Sequence, residues 1–277
     1  MYHSNSKFII ASIVIAFFVF FIAVEAIIAK RKHYSLYNYK DSFANFKILI
    51  LRHILNSVLS ASLVLYILNL SYAYSIHAVE SLNEYVYWIS LIIAQDFLYY
   101  WFHRYSHVCR FGWASHVVHH SSNYYNYTTA VRESVTYVLS GIWIFWLPLT
   151  FLGYTPTDVI IAVVINLIYQ FFLHTQLIKK LGVIELVFNT PSHHRVHHGR
   201  NRAYINKNYA GILIIWDKMF GTFVEETQTP EYGITTPLNS FNPIVILFHE
   251  WYQMFYDIFK ARNLKYLVSF AKVTKKK

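Results

Sequence analysis

The sequence predicts an all-α integral membrane protein with about four to five membrane helices and a histidine-rich helical cap on the cytoplasmic side. Of its 277 residues, 56% are hydrophobic and only 14% are charged, whereas soluble domains average about 25% charged residues. Long apolar runs alternate with polar segments that hold most of the histidines and cations. The single cysteine, Cys109, excludes a disulfide framework and a cysteine-based metal site.

Five apolar runs are candidate membrane helices, because about 20 residues are needed to cross the hydrocarbon core. The first run stops at Lys30-Arg31-Lys32 and is predicted to be a retained helix rather than a cleaved signal peptide. The last two are separated by turn-forming residues, 153–156, and are predicted to form a hairpin that spans or re-enters the membrane. The runs are Phe8–Ala29, Ile54–Tyr74, Tyr85–Phe102, Val135–Leu152 and Val159–Leu177.

The distribution of cations predicts the orientation of these helices. Lysine and arginine are concentrated in segments 30–52, 103–134 and 178–277, so the positive-inside rule places those segments in the cytoplasm and the N-terminus outside. A net charge of +10 would fit nucleic acid, but 46 Tyr and Phe among so few charges favour a membrane, and no nucleic-acid partner is predicted. The expected membrane is the endoplasmic reticulum of a eukaryote or the inner membrane of a bacterium.

The chain is predicted to be a single membrane domain, 1–277, with three regions. Residues 8–102 hold the first three spans, 96–226 hold a catalytic region that binds two metal ions, and 227–277 form a C-terminal cytoplasmic segment.

Histidine is the unusual residue of this sequence, since ten of its 15 copies lie between positions 103 and 198. They recur at spacings of three and four residues, which place side chains on one face of a helix. Imidazole suits iron, zinc, copper and nickel, and the spacing alone does not name the metal. The number of rings is sufficient for two ions with open positions. The predicted ligands are His103, His107, His116, His119, His120, His174, His194, His197 and His198.

Two of these predictions leave alternatives open. His174 stands alone, so it is either a ligand, a partner of one, or a packed histidine of the core. His193 and His194 are neighbours and point to different faces of a helix, so His194 is predicted as the ligand and His193 as a residue beside it. The ligands are the only catalytic residues predicted.

Three further polar residues are predicted to support the ligands. Asp96 lies within an apolar run, seven residues before His103, and carboxylates inside membrane spans mark functional sites. Its predicted role is to accept the other N–H of a liganding ring; a partnership with Arg104 or a hydrogen bond between helices is the alternative. Asn126 and Asp217 are likewise predicted to lie beside the ligands; Asp217 either has a structural role or accepts a hydrogen bond from a histidine.

The histidine motifs resemble those of a known family. His103–His107, His116–Ser122 and Pro191–His198 resemble the three histidine boxes of the fatty acid hydroxylase / sterol desaturase superfamily, and the similarity runs from about Asp96 to Glu226. Within it, Asn189–Asn201 and Asn206–Phe223 are similar to the alkylglycerol monooxygenase family.

The resemblance implies an integral-membrane non-haem di-iron oxygenase that attacks a lipid C–H bond with O2. It further implies hydroxylation of the ether carbon of an alkylglycerol lipid. The electrons would come from tetrahydrobiopterin or from another external donor, and the expected partner is a reductase or a soluble reductant. A sterol or fatty acyl desaturase or hydroxylase is the alternative, because the same metal site serves both reactions. A membrane haem or metal carrier, or a zinc hydrolase, fits less well, since ten clustered histidines exceed what a zinc site uses.

Overall fold

The computed structural model of the protein describes residues 2–59 and 61–268, and helices are the main regular structure in this part of the chain. It contains no β-strand, only two isolated bridges. The helices are α1 (Tyr2–Arg31), α2 (Tyr39–Leu59), α3 (Ala61–Ala73), α4 (Glu84–Val108), α5 (Arg110–His120), α6 (Tyr127–Ala130), α7 (Leu147–Leu152), α8 (Pro156–Leu173), α9 (Pro191–His197), α10 (Ile215–Met219), α11 (Pro243–Ala261) and α12 (Lys265–Val268). The predicted helical class is confirmed.

Two helices in the described residues are long and apolar enough to cross a membrane. They are Ser12–Arg31, within α1, and Pro156–Leu173, which is α8. Large apolar side chains on both are exposed, among them Ile15, Phe20 and Val164, as expected where lipid replaces water as the solvent. They correspond to the first and last predicted runs, and the remaining spans stay predictions.

Two of the predicted runs do not form single helices. Val135–Leu152 is divided into turns, a 3-10 helix at Ile142–Trp146 and the short α7. The interruption is local chemistry, because Gly141 adopts a left-handed conformation with φ 76° and a proline occupies the first turn of α7. Ile54–Tyr74 is shared between α2 and α3, and residue 60 lies outside the described residues.

A short turn joins α7 and α8 at the position predicted from the turn-forming residues 153–156. Gly153 ends α7 with φ 110°, and the Thr155 side chain accepts a hydrogen bond from Asp158 N at the start of α8. Together α3, α4, α7 and α8 enclose one apolar core around Leu91, Leu149 and Val159.

Helices α4 and α5 cross closely, and this crossing determines where the histidines lie. The approach occurs at Gly112, where a Cβ atom would lie 2.8 Å from Tyr105 Cε1 and 2.9 Å from Ser106 Cα. A second core, containing Ile48, Val118 and Leu247, packs α2 and α11 against α5. The short α5 is therefore held from both sides.

Candidate metal centre

All nine predicted ligands are buried and lie in two groups. In each group the candidate ligand atoms lie within 4.8 Å of one another. The first group is His103, His107, His116, His120 and His197. The second group is His119, His174, His194 and His198.

Four elements supply the rings, and two of these elements contribute to both groups. The last turns of α4 bring His103 and His107 to the first group at an i,i+4 spacing. Helix α5 sends His120 to the first group and its neighbour His119 to the second. At the C-terminal end of α9, consecutive histidines again face different groups, while His174 follows the last residue of α8.

The two groups touch. The rings of His120 and His198, one from each group, stack with centroids 4.3 Å apart and an interplanar angle of 19°. The rings of His194 and His197 also stack, at 5.2 Å and 18°. Two ions held by these groups would be neighbours.

Backbone carbonyls determine which ring nitrogens face inward. Nδ1 of His103 donates to Tyr209 O at 2.8 Å, Nδ1 of His197 to Lys207 O at 3.0 Å, and Nδ1 of His174 to Gln170 O at 2.8 Å. Because a carbonyl only accepts, Nδ1 carries the proton in each neutral ring and Nε2 carries a lone pair. Histidines that bind metals usually donate their other ring N–H in this way.

The spacing of the inward nitrogens fits a metal ion. Nε2 of His103 and His116 are 3.0 Å apart, Nε2 of His120 and His197 are 3.1 Å apart, and Nε2 of His174 and His194 are 3.1 Å apart. Facing lone pairs repel, so each contact requires a cation or a proton between the nitrogens. With a metal–nitrogen distance of about 2.1 Å, ligands at right angles lie about 3.0 Å apart.

Burial keeps the rings neutral, as metal ligation requires. It lowers the pKa of His197 to about 4, and it lowers the pKa values of His120 and His198 well below the usual 6.5, with neighbouring imidazoles adding to the effect. Nε2 of His107 and of His198 has no hydrogen-bond partner among the described residues. A buried ring nitrogen without a hydrogen-bond partner lowers the stability of the fold. A bound metal ion would give these nitrogens a partner.

A loop that follows α9 provides two of the three carbonyls. This cap loop, residues 199–224, contains Lys207 and Tyr209, whose carbonyls accept from the first group. Asp217 stabilises it by accepting from Tyr209 N at 2.8 Å, Ala210 N at 2.7 Å and Thr222 Oγ1 at 2.6 Å. Asp217 therefore acts on His103 through the backbone of Tyr209, rather than through the direct hydrogen bond that the sequence suggested.

Asp96 holds the next part of the same loop. Its two oxygens accept from Ile212 N, Leu213 N, Trp216 Nε1 and Asn166 Nδ2 at 2.7–2.9 Å. These four donors occupy the carboxylate, so the predicted hydrogen bond from a histidine ring is not formed. The loop approaches closely because residue 211 is glycine: a Cβ there would lie 2.6 Å from Asp96 Oδ1.

The other two predicted supporting residues lie farther from the rings. Asn126 caps α6, accepting from Thr128 N at 2.9 Å and donating to Leu36 O at 2.7 Å. His193 points away from both groups and packs edge-on against Phe223, with Nε2 3.9 Å from Glu185. Burial lowers the pKa of His193 to about 4, so it too is neutral.

Sequence reasoning missed Glu133 and Tyr137. The Tyr137 hydroxyl lies 2.6 Å from Nδ1 of His116, and Glu133 Oε1 lies 3.4 Å from Nδ1 of His119. Each residue therefore contacts a different group, and burial raises the pKa of Glu133 to about 7. An isolated acid at the start of the apolar run 135–152 is the signal that could have identified Glu133.

Two cavities lie beside the groups. A small one, of about 40 Å³, reaches the first group past His107, Trp113 and Thr235; this volume holds about two or three water-sized molecules. A larger open cavity, of about 820 Å³, is separated from the second group by the stacked rings of Tyr125 and Tyr232, whose centroids are 4.7 Å apart.

Comparisons with known proteins agree with this geometry. Residues 88–222 match the model of the fatty acid hydroxylase family. The chain is 51% identical to human alkylglycerol monooxygenase over 167 residues, 60% of this chain and 37% of that protein. It is 44% identical to the Caenorhabditis elegans alkylglycerol monooxygenase over 169 residues, 58% of this chain and 32% of that one.

A more distant relative is the ornithine lipid hydroxylase of Rhizobium tropici, 32% identical over 150 residues, 53% of this chain and 45% of that protein. This chain thus spans less than half the length of these relatives. No solved structure matches it. The segment that matches the fatty acid hydroxylase family, residues 88–222, contains all nine histidines of the two groups.

Proposed function

We propose that this chain is a membrane-bound non-haem di-iron monooxygenase that hydroxylates a lipid C–H bond with O2. The observation that carries the proposal is the pair of adjacent, buried, all-histidine groups within the segment that matches the fatty acid hydroxylase family. Neutral nitrogen donors without a thiolate suit iron. Similarity to alkylglycerol monooxygenases supports the ether carbon of an alkylglycerol lipid as the site of attack.

The protein's own residues have three tasks in this reaction. The histidines of the two groups hold the ions, which supply the oxygen chemistry when bound. Tyr209 O, Lys207 O and Gln170 O keep the Nε2 lone pairs of their rings inward. The buried surroundings exclude bulk water and protect other side chains from the oxidant. The balanced reaction converts lipid C–H, O2, two electrons and two protons into an alcohol and water.

Other functions have less support. A sterol or fatty acyl desaturase or hydroxylase would use the same ligands, but the human and Caenorhabditis elegans alkylglycerol monooxygenases share 51% and 44% identity with this chain over the matched residues. A haem or metal carrier would spread its histidines along the spans, whereas here they gather in two touching groups. A zinc hydrolase needs about three protein ligands, fewer than the nine present.

We propose that the larger cavity binds the external electron donor, tetrahydrobiopterin or a comparable soluble reductant. The Tyr125 ring, which forms its inner wall, lies 5.1 Å from the His198 ring and 5.5 Å from the His174 ring. Lys179 and Arg200 are among the residues that line it. We expect Lys179→Glu to raise the KM for the reductant without changing iron content; the neighbouring Lys180, which lies outside the cavity, is the matched control.

The decisive experiment is metal analysis of the purified, detergent-solubilised chain and of His120→Ala. About two irons per chain, reduced in the variant, together with O2-dependent oxidation of an alkylglycerol, are the expected results. One zinc per chain, or no iron bound after anaerobic loading, would contradict the oxygenase. Iron binding with oxidation of a sterol or acyl chain instead would correct the substrate alone.

A further inference from the structure

Helix α11 presents two different apolar faces. One is buried against α2 and α5 and contains Ile246, Leu247, Trp251 and Met254. The other is exposed, with residues recurring every three or four positions along one side of the helix. It consists of Ile244, Val245, Phe248, Tyr252, Phe255, Tyr256 and Phe259.

The exposed face is too large to be incidental. Tyr252 is 71% exposed and Phe259 is 80% exposed, and contiguous exposed apolar surface of this kind marks a contact with a partner or a membrane. Aromatic side chains make up most of it, and tyrosine is enriched where hydrocarbon meets water.

The acidic side chains of α11 face the protein, and the basic side chains lie at its exposed C-terminal end. Its two acids, Glu250 and Asp257, both bind Arg110 of α5, at 2.8 and 2.7 Å, and thus point toward the protein. Lys260 and Arg262 occupy the exposed C-terminal end. Within Pro243–Ala261 the exposed apolar face carries no acid.

The neighbouring helix α2 shows the same arrangement in its first half. Tyr39 and Phe43 are exposed, and Lys47 Nζ lies 4.4 Å from the centre of the Phe43 ring. The acid of this segment, Asp41, is buried and bound to Arg132 at 3.2 Å. Two packed helices therefore present aromatic and cationic side chains outward and keep their acids inside.

We propose that α11, together with the first half of α2, lies in the membrane plane and embeds its aromatic face at the headgroup–acyl boundary of a bilayer containing anionic lipid. Helix α11 is not among the helices apolar enough to span, and an amphipathic helix with basic flanks binds in the interface. A second copy of this chain is a poorer occupant, because two such surfaces would bring cations together. The proposal does not depend on the iron chemistry.

The contact is tested with an environment-sensitive fluorophore in the full chain. Phe255→Cys and Gln253→Cys are labelled with a nitrobenzoxadiazole dye in a Cys109→Ser background and placed in nanodiscs of phosphatidylcholine and phosphatidylglycerol, one copy per disc. The Phe255 label should emit at shorter wavelength and be quenched several-fold more by doxyl-labelled lipid. The Gln253 label, on the exposed polar side of α11, should be quenched mainly by aqueous iodide.

Two outcomes would overturn the proposal. Equal iodide quenching of both labels would place the aromatic face in water. Protection of the Phe255 label in detergent oligomers, lost in discs holding one copy, would assign the face to a second chain. Tyr252→Cys provides a second exposed position, so a labelled variant that fails to fold does not end the experiment.

Discussion

At the scale of single residues, the candidate centre depends on which nitrogen of each ring carries the proton. Carbonyls of Tyr209, Lys207 and Gln170 make that choice for three rings. The sequence located the histidines, because side-chain spacing is visible in it. It could not reveal the acceptors, because every residue has a carbonyl and only the fold decides which one meets a ring.

The neighbouring pair His193 and His194 allows a test with a built-in control. His194→Gln removes a ring whose Nε2 lies 3.1 Å from that of His174, and we expect it to lose about half of the bound iron. His193→Gln alters a buried ring that points away from both groups and should keep the full amount. The measurement is the amount of iron bound per chain after anaerobic loading. Equal losses from the two variants would contradict the assignment of His194, and not His193, as the ligand.

Asp217 allows a second test at this scale. Asp217→Ala removes the acceptor of Tyr209 N and Ala210 N, which costs about 1–3 kcal/mol of unfolding free energy for buried donors left unpaired. Because the loop then positions Tyr209 O poorly, iron affinity should fall about 10- to 100-fold, as for other outer partners of ligands. Thermal unfolding and iron titration measure the two effects.

The control is Asp158→Ala at the start of α8, where the carboxylate accepts from Tyr87 and Thr155. It should lower the melting temperature while leaving iron affinity unchanged. If Asp217→Ala behaved in the same way, the carboxylate would be a stabilising residue without influence on the centre.

At the scale of elements, α5 and α9 each contribute to both groups, so their placement matters more than that of any single ring. Helix α5 owes its position to the crossing with α4 at Gly112 and to the core shared with α2 and α11. A shift of this short helix would displace candidate ligands of both groups together.

The crossing at Gly112 predicts that Gly112→Ala is destabilising although alanine favours helices. The added Cβ would lie 2.9 Å from the backbone atom Ser106 Cα, and such overpacking costs about 1–3 kcal/mol, more than the gain of about 1 kcal/mol in helix propensity. We expect a lower melting temperature and less iron in both groups. Gln253→Ala, on the exposed side of α11, is the control and should change neither.

Sequence reasoning succeeded where the pattern was periodic and failed where the backbone was irregular. It predicted α1, α8 and the turn at Gly153, which depend on apolar length and turn chemistry. It was wrong to treat 135–152 as one helix, since Gly141 and the proline in α7 interrupt it. For Asp96 it identified a buried acid but not its partners, because the loop at Ile212 is distant in sequence and its approach depends on Gly211.

At the scale of the whole molecule, the histidines make the metal-free protein sensitive to acid. The folded-state pKa values of His193 and His197 are lowered to about 4, whereas unfolded histidine titrates near pH 6.5. Below that pH the unfolded chain binds more protons, so folding stability is complete above about pH 6.5 and is lost as the pH falls toward about 4.

The melting temperature of metal-free protein should therefore fall between pH 6.5 and pH 4 and stay level from pH 7 to pH 8. A variant with His193→Gln and His197→Gln should show a shallower decline, since two of the buried rings no longer titrate. A melting temperature that does not change down to pH 4.5 would show that the rings are accessible to protons in the folded state.

The carbonyl acceptors of the cap loop have a consequence for inherited variation. The oxygens that receive the protons of His103 and His197 belong to the main chain, so replacing the Lys207 side chain leaves its acceptor in place. Substitutions of Asp217 and Asp96 should be more damaging, because these carboxylates accept hydrogen bonds from the backbone of the cap loop. Random mutagenesis should therefore find position 207 permissive and the two aspartates intolerant, although none of the three touches an imidazole through its side chain.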